Sequence, residues 1–336
     1  MGDRGLLDLA IARLPGLSFR ERISLCGALA AEGDLARGSR RDMEAILGRG
    51  LSAAWDVDLV RMLAERDAEA ARLRGIGWVS WAGLDYPPLL REIYDPPAVL
   101  FFRGRLPDPE RPLAAVVGTR KPSPQAAAQA YDVARGLGPG GVSVVSGLAL
   151  GVDAMAHRGS VEGGAPAFAV LGSGVDEVYP ASNRPLARRV LESGGALLSE
   201  LPPGAGPRKW NFPARNRIIS GLCRGVLVVE APEKSGALIT ARFALEQNRE
   251  LWVASAGAAD GGSPFDRRGT IRLAEDGAEV VGSASRILEM WGMGPQGRRP
   301  LELEPVAAPV TASAASGAAA GAGAATSLAR SLGITI

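Results

Sequence analysis

Cationic and aromatic side chains crowd into one stretch, Trp210–Leu222, which reads WNFPARNRIISGL. Pro213 fixes its own φ and biases Phe212 toward extended backbone. The chain is therefore expected to enter a helix near Arg215–Ser220, with N–H groups and a positive helix end turned outward. Arg215 and Arg217 add forked donors that match a phosphate, with Asn216 between them. Anion binding is the chemistry this set suits; an ordinary helix start with solvated arginines is the structural alternative. Lys209, Trp210 and Phe212 fall within four positions and offer what an unstacked nucleotide chain needs, a cation for phosphate and a flat apolar face for a base. Both rings also suit a core.

Other segments repeat the theme. LAAVVGTRK places Gly118, Thr119, Arg120 and Lys121 after an apolar run, where a glycine lets backbone approach an anion and Arg120 brings the charge. SGLALGVD, Ser146–Asp153, sets Ser146, Gly147 and Gly151 at a strand-to-helix turn; it lacks the Gly-Lys-Ser/Thr of an ATPase, and Asp153 reads as a cap or loop holder. Gly172, Gly174 and Asp176 end a further run, followed by a rigid turn at Tyr179, Pro180 and Asn183 and by Arg184 at a helix start. EKSGALIT contributes Ser235 and Gly236.

These segments need elements to hold them. Residues 1–76 read as a small all-helical domain, with Ser18 and Glu21 at capping-box spacing and glycines 33, 48 and 75 at helix ends. From Trp78 short extended pieces are separated by prolines at 87, 88, 96 and 97. Apolar runs then alternate with helical pieces, with glycine at successive strand ends. This pattern predicts an α/β, Rossmann-like, doubly wound and mostly parallel sheet over 77–292. Ligands of such folds bind at the carboxyl ends of the strands where strand order reverses, so the glycine loops should converge on one edge. The Ala-, Gly- and Pro-rich tail 293–336 has little bulk to bury and reads as disordered.

Composition narrows the functional classes. The chain has 336 residues, 46% of them hydrophobic, and a formal net charge of only +2, so any nucleic-acid binding must come from a local patch. Arginine supplies almost all the basic residues; the only lysines are Lys121, Lys209 and Lys234, all inside the segments above. His157 is the sole histidine and reads as a core or helix-face residue, so neither a Ser-His-Asp site nor a two-histidine metal site can be assembled. Cys26 and Cys223 are too sparse for a zinc site or a disulfide framework and fit a reducing cytosol. There is no basic-then-apolar leader and no membrane-length apolar run, so a cytoplasmic protein is expected. With no nucleophile–base pair, metal cluster or cofactor motif legible, the reading is a binding protein without a cofactor, not an enzyme.

FPARNRIISGL followed by VLVVEAPEKSGALIT resembles the DprA family, also called Smf. YPPLL with DPPAVLFFRG, VVGTRKPS, SGLALGVDAMAH and LGSGVDEVYPASN stand in the family's order, over about Trp78–Trp291. The resemblance implies single-stranded DNA binding in a groove that includes Arg120, Lys209 and Phe212. It also implies loading of the recombinase RecA during natural transformation or recombination, with single-strand-binding protein as a further partner. A homodimer is expected through the end of the sheet domain that carries Ile271, Leu273 and Ile287. The N-terminal helices would resemble a sterile-alpha-motif-like or helix-hairpin-helix module, and the tail is too short for the winged helix of many members. Ala256–Gly257 replaces the family's Pro-Gly, and Gly269–Leu273 lacks its asparagine. The alternative is a phosphoribohydrolase of the lysine-decarboxylase-like class, whose Pro-Gly-Gly-x-Gly-Thr-x-x-Glu motif is absent here.

Overall fold

The computed structural model describes residues 3–29, 34–35, 38–51, 56–258 and 264–293; Gly33 and the tail from 294 onward lie outside them. The described residues of the N-terminal region include helices α1 (Asp3–Arg13), α2 (Phe19–Ala28), α3 (Arg40–Leu47) and α4 (Val57–Leu73). Ser18 and Glu21 form the expected capping box, and Ser39 with Asp42 forms a second. Gly48 and Gly75 take the left-handed backbone that stops a helix at φ +68° and +61°. Arg13 clasps α1 to α4 through a forked pair with Asp67, at 2.6 and 2.7 Å, and Asp67 is only 2% exposed.

The sheet begins with an antiparallel edge, β1 (Gly77–Ser80) on β2 (Val99–Gly104), with the short helix α5 (Pro88–Arg91) between them. The units that follow are β3 (Leu113–Val117), α6 (Pro124–Leu137), β4 (Ser143–Ser146), α7 (Val152–Glu162), β5 (Ala167–Val170), α8 (Arg184–Glu192) and β6 (Ala196–Ser199). Then come α9 (Asn211–Leu222), β7 (Gly225–Val228), α10 (Gly236–Glu246), β8 (Glu250–Ala254), α11 (Ser255–Ala258), α12 (Arg268–Glu275), β9 (Glu279–Val281) and α13 (Ala284–Met290). Strand order is β1-β2-β6-β5-β4-β3-β7-β8-β9, and β3 to β9 pair in parallel. The mostly parallel, doubly wound architecture expected from the glycine-ended apolar runs is present.

Period-two geometry sorts β3 between the layers. Leu113, Ala115 and Val117 join a cluster with Ile218, Ile219 and Ala241 of α9 and α10, while Ala114 and Val116 join Ala130 and Val133 of α6. The N-terminal helices share a third cluster with Val99, Phe101 and Leu197, so their apolar face is completed by the β2–β6 end of the sheet. Among the described residues both cysteines are free, and no helix is long and apolar enough to cross a membrane.

Two expectations are corrected here. Helix α9 starts at Asn211 and not near Arg215, because Pro213 sits in the first turn, where its missing N–H has no helical partner to lose. Ile287 offers nothing to a dimer partner: it is 0% exposed in the core where α13 packs beside α6. Of its companions, Leu273 packs against the α9–α10 cluster and Ile271 is half-buried.

Candidate functional site

Strand order reverses at β3, which is flanked by β4 on one side and β7 on the other. A cleft of about 950 Å³ opens there, lined from the carboxyl ends of β3, β4, β5 and β7, from the start of α9 and from Pro264–Asp266. The loop after β3 is clamped from below. Thr119 N donates to Glu230 O at 2.7 Å, and Val152 N donates to Thr119 O at 3.2 Å. Gly151, at φ +77°, lies so close that a Cβ would fall 2.5 Å from Thr119 O. Held this way, the loop leaves Arg120 and Lys121 exposed on the cleft wall.

The loop after β4 is built around Asp153, whose Oδ2 accepts from Gly147 N at 3.1 Å and Ala149 N at 3.3 Å. Asp153 thus holds the loop, as its sequence position suggested. Burial raises its carboxyl pKa, against the opposing pull of Arg215 and the amides. Ser146 is 0% exposed and donates to Val116 O at 2.7 Å, so it lies beneath the site. His157 is also 0% exposed, and burial together with the Arg215 charge pushes its imidazole down to about 3. It is a neutral core residue.

Helix α9 splits its polar residues by direction. Asn211 Nδ2 donates to Gly172 O at 3.1 Å, fixing the helix start against the loop after β5. The Phe212 ring lies over Gly172, where a Cβ would come within 2.8 Å of the ring, and sits 5.7 Å from the Tyr179 ring and 5.8 Å from the Arg120 guanidinium. Lys209 and the 67% exposed Trp210 precede it. Arg215 points below the floor: it is 6% exposed, donates to Val170 O and crowds Gly147. Burial lowers its pKa to about 10, which leaves it fully cationic at neutral pH. Asn216 Nδ2 donates to Gly236 O at 3.0 Å, tying α9 to α10.

Ten of the expected residues therefore share the cleft lining: Gly118, Thr119, Arg120, Lys121, Lys209, Phe212, Arg215, Asn216, Ser235 and Gly236. Others do not. Gly147 borders a small recess behind Phe212, Gly151 is part of the clamp, and Arg184 lies outside the lining on α8. Arg217 is corrected outright as an anion contact. It faces the opposite side of α9, where Nη1 and Nη2 reach Glu200 at 2.8 and 2.6 Å and Nε reaches Asp95 O at 2.8 Å.

Among the lining residues that were absent from the expected site, three carry polar or aromatic chemistry that bears on the argument. Lys234 completes a set in which all three lysines of the chain line one cleft, and its rarity was the available signal. Tyr179 stands at the rim, 49% exposed. Glu230 is 1% exposed and accepts from Ser123 Oγ at 2.5 Å, a carboxylate engaged in holding α6 in place. Among the described residues no group of three or more metal-ligating side chains comes together.

Known proteins share this fold. The DNA processing protein DprA of Streptococcus pneumoniae is 42% identical over 203 residues, covering 60% of this chain and 70% of that protein. Protein Smf of Synechocystis is also 42% identical, over 215 residues that cover 63% of this chain; the match spans about half of that relative, 53% of its length. The solved structure of the Streptococcus pneumoniae DprA superposes with a TM-score of 0.66 at 32% identity, over 86% of this chain and 98% of that one. A Helicobacter pylori DNA processing protein A, described by its single-stranded DNA binding mode, superposes with a TM-score of 0.54 at 27% identity, over 64% and 95%. Residues 78–292, well over half the chain and the whole of the cleft, match the family described as DNA recombination-mediator protein A, and the chain belongs to that family.

Proposed function

We propose that the cleft binds single-stranded DNA and that the chain acts as a non-catalytic recombination mediator, holding the strand for transfer to the recombinase RecA. One observation carries this reading: Arg120, Lys121, Lys209 and Lys234 converge around the half-buried Phe212 ring in a single cleft. Cations for phosphates beside an aromatic face for an unstacked base are the requirements of single-strand binding. The single-stranded DNA binding mode described for the Helicobacter pylori relative supports the same assignment. Against hydrolysis of a nucleotide, all three carboxylates of the cleft lining are engaged: Glu230 by Ser123, Asp153 by the amides of Gly147 and Ala149, and Asp266 by Arg268. A cytoplasmic homodimer working with single-strand-binding protein completes the proposal.

Fluorescence anisotropy with single- and double-stranded oligonucleotides over a salt series tests it. Single strands should bind more tightly, with a log–log salt slope of roughly −0.7 per phosphate neutralised. Arg120→Ala and Lys209→Ala should each flatten that slope by roughly 0.7, whatever the base composition. Equal affinity for duplex and single strand, or a slope unmoved by either substitution, would remove the groove. For the transfer step, RecA filament assembly on single strands should accelerate when the protein is present, and an unchanged rate would refute loading.

A further inference from the structure

The exposed face of α8 carries charge that the cleft does not use. Arg184 and Arg188 are one turn apart, hence on one side of the helix, and both are exposed. Neither has an ion-pair partner among the described residues, whereas the adjacent Arg189 is tied to Glu162 at 3.0 Å. The helix is fixed to the cleft itself: Asn183, beside Arg184, donates to Leu148 O at 2.9 Å and Ala149 O at 3.2 Å, and Ala149 lines the cleft. The next residue, Leu150, walls the small recess behind Phe212 together with Tyr179. Leu150 and Tyr179 are 48% and 49% exposed, a strip of uncovered apolar surface beside Arg120.

We infer that a single strand leaving the cleft crosses Leu150 and Tyr179 and lays its phosphates on Arg184 and Arg188. The inference rests on the reading of the cleft as a single-strand site and extends its length. Continuity of the surface and the sign of its charge argue for this occupant. A flexible strand presents bases and phosphates in alternation, and the surface offers apolar side chains and then cations. An exposed arginine pair that forms no ion pair among the described residues favours a polyanion over an uncharged partner.

The experiment is anisotropy on a ladder of oligothymidine lengths with the full chain, its Arg184→Ala/Arg188→Ala double variant, and Arg189→Ala as a control for charge removed from a paired position. Thermal melting of each variant establishes that it is folded. On the shortest strands that bind, the double variant should match the parent. On longer strands it should lose affinity several-fold, with a salt slope flatter by about 0.7 for each arginine removed, while Arg189→Ala follows the parent. Equal affinity and slope at every length would overturn the inference and leave the pair to another partner, such as an acidic protein surface. An equal loss at every length, shortest included, would also overturn it by placing both arginines within the cleft's own footprint. If the parent itself binds no single strand, the cleft reading fails first and the inference with it.

Discussion

Replacing Phe212 by alanine removes the aromatic face of the cleft while leaving Arg120, Lys121, Lys209 and Lys234 in place. Base–aromatic stacking contributes about 1–3 kcal/mol per base, equivalent to a roughly 5- to 150-fold rise in Kd. The structure favours the lower part of that range. In the free protein the Arg120 guanidinium lies 5.8 Å from the Phe212 ring centre, an exposed cation–π contact of about 0.5–1 kcal/mol, and its loss releases Arg120 toward phosphate. The ring is half-buried against Gly172 and Tyr179, so folding should lose about 1–2 kcal/mol, less than the 3–5 typical of a fully buried phenylalanine. The assay is anisotropy on a homopolymer single strand across a salt series, with Tm measured alongside. Weaker binding at an unchanged salt slope is expected. Unchanged affinity in a normally folded variant, or a slope that flattens as it should for a lysine, would refute the stacking role and move the base face away from α9.

Two further substitutions separate structural charges from binding charges. Arg217→Ala strips Glu200 of its forked partner in a nearly buried pocket and should cost roughly 2–4 kcal/mol in urea unfolding, with single-strand affinity and salt slope unchanged; a flattened slope would return Arg217 to the DNA surface. His157 titrates at 6.5 in the unfolded chain and at about 3 when folded, so the unfolded state binds the extra proton and stability falls as pH drops through that window. The slope reaches up to about 1.4 kcal/mol per pH unit, and the raised carboxyl of Asp153 works with the opposite sign. His157→Leu should therefore unfold with a shallower pH dependence than the parent, and parallel curves would disprove the buried, neutral imidazole.

Particular residues explain what the sequence disclosed. The apolar runs ending in Gly118, Gly147 and Gly172 are strands buried on both faces, and short-range pattern was enough to place their loops at one end of a parallel sheet. Directions within α9 were beyond it. With the helix starting at Asn211, Arg215 and Arg217 point about 200° apart, so they cannot both face one ligand. Displacing the start by about a turn hid that conflict. Glu230 ends an otherwise apolar run, and its partner Ser123 is 107 positions away, a separation that no local pattern encodes. Ile287 repeats at helical spacing like a surface anchor, and only the packing of α13 beside α6 shows that the core has already consumed it.

The gathering of every lysine into the cleft gives the molecule an unusual chemical address. Elsewhere its side-chain positive charge is guanidinium, which acylating reagents and formaldehyde attack far less readily than a primary amine. Side-chain amines stand only at Lys121, Lys209 and Lys234, all facing the same space. An amine-directed reagent, read at the lysine side chains and not at the α-amine, therefore becomes a label for that space without engineering, and an occupant should shield all three lysines together. Reactivity of the amines would then report occupancy in solution on the unmodified chain.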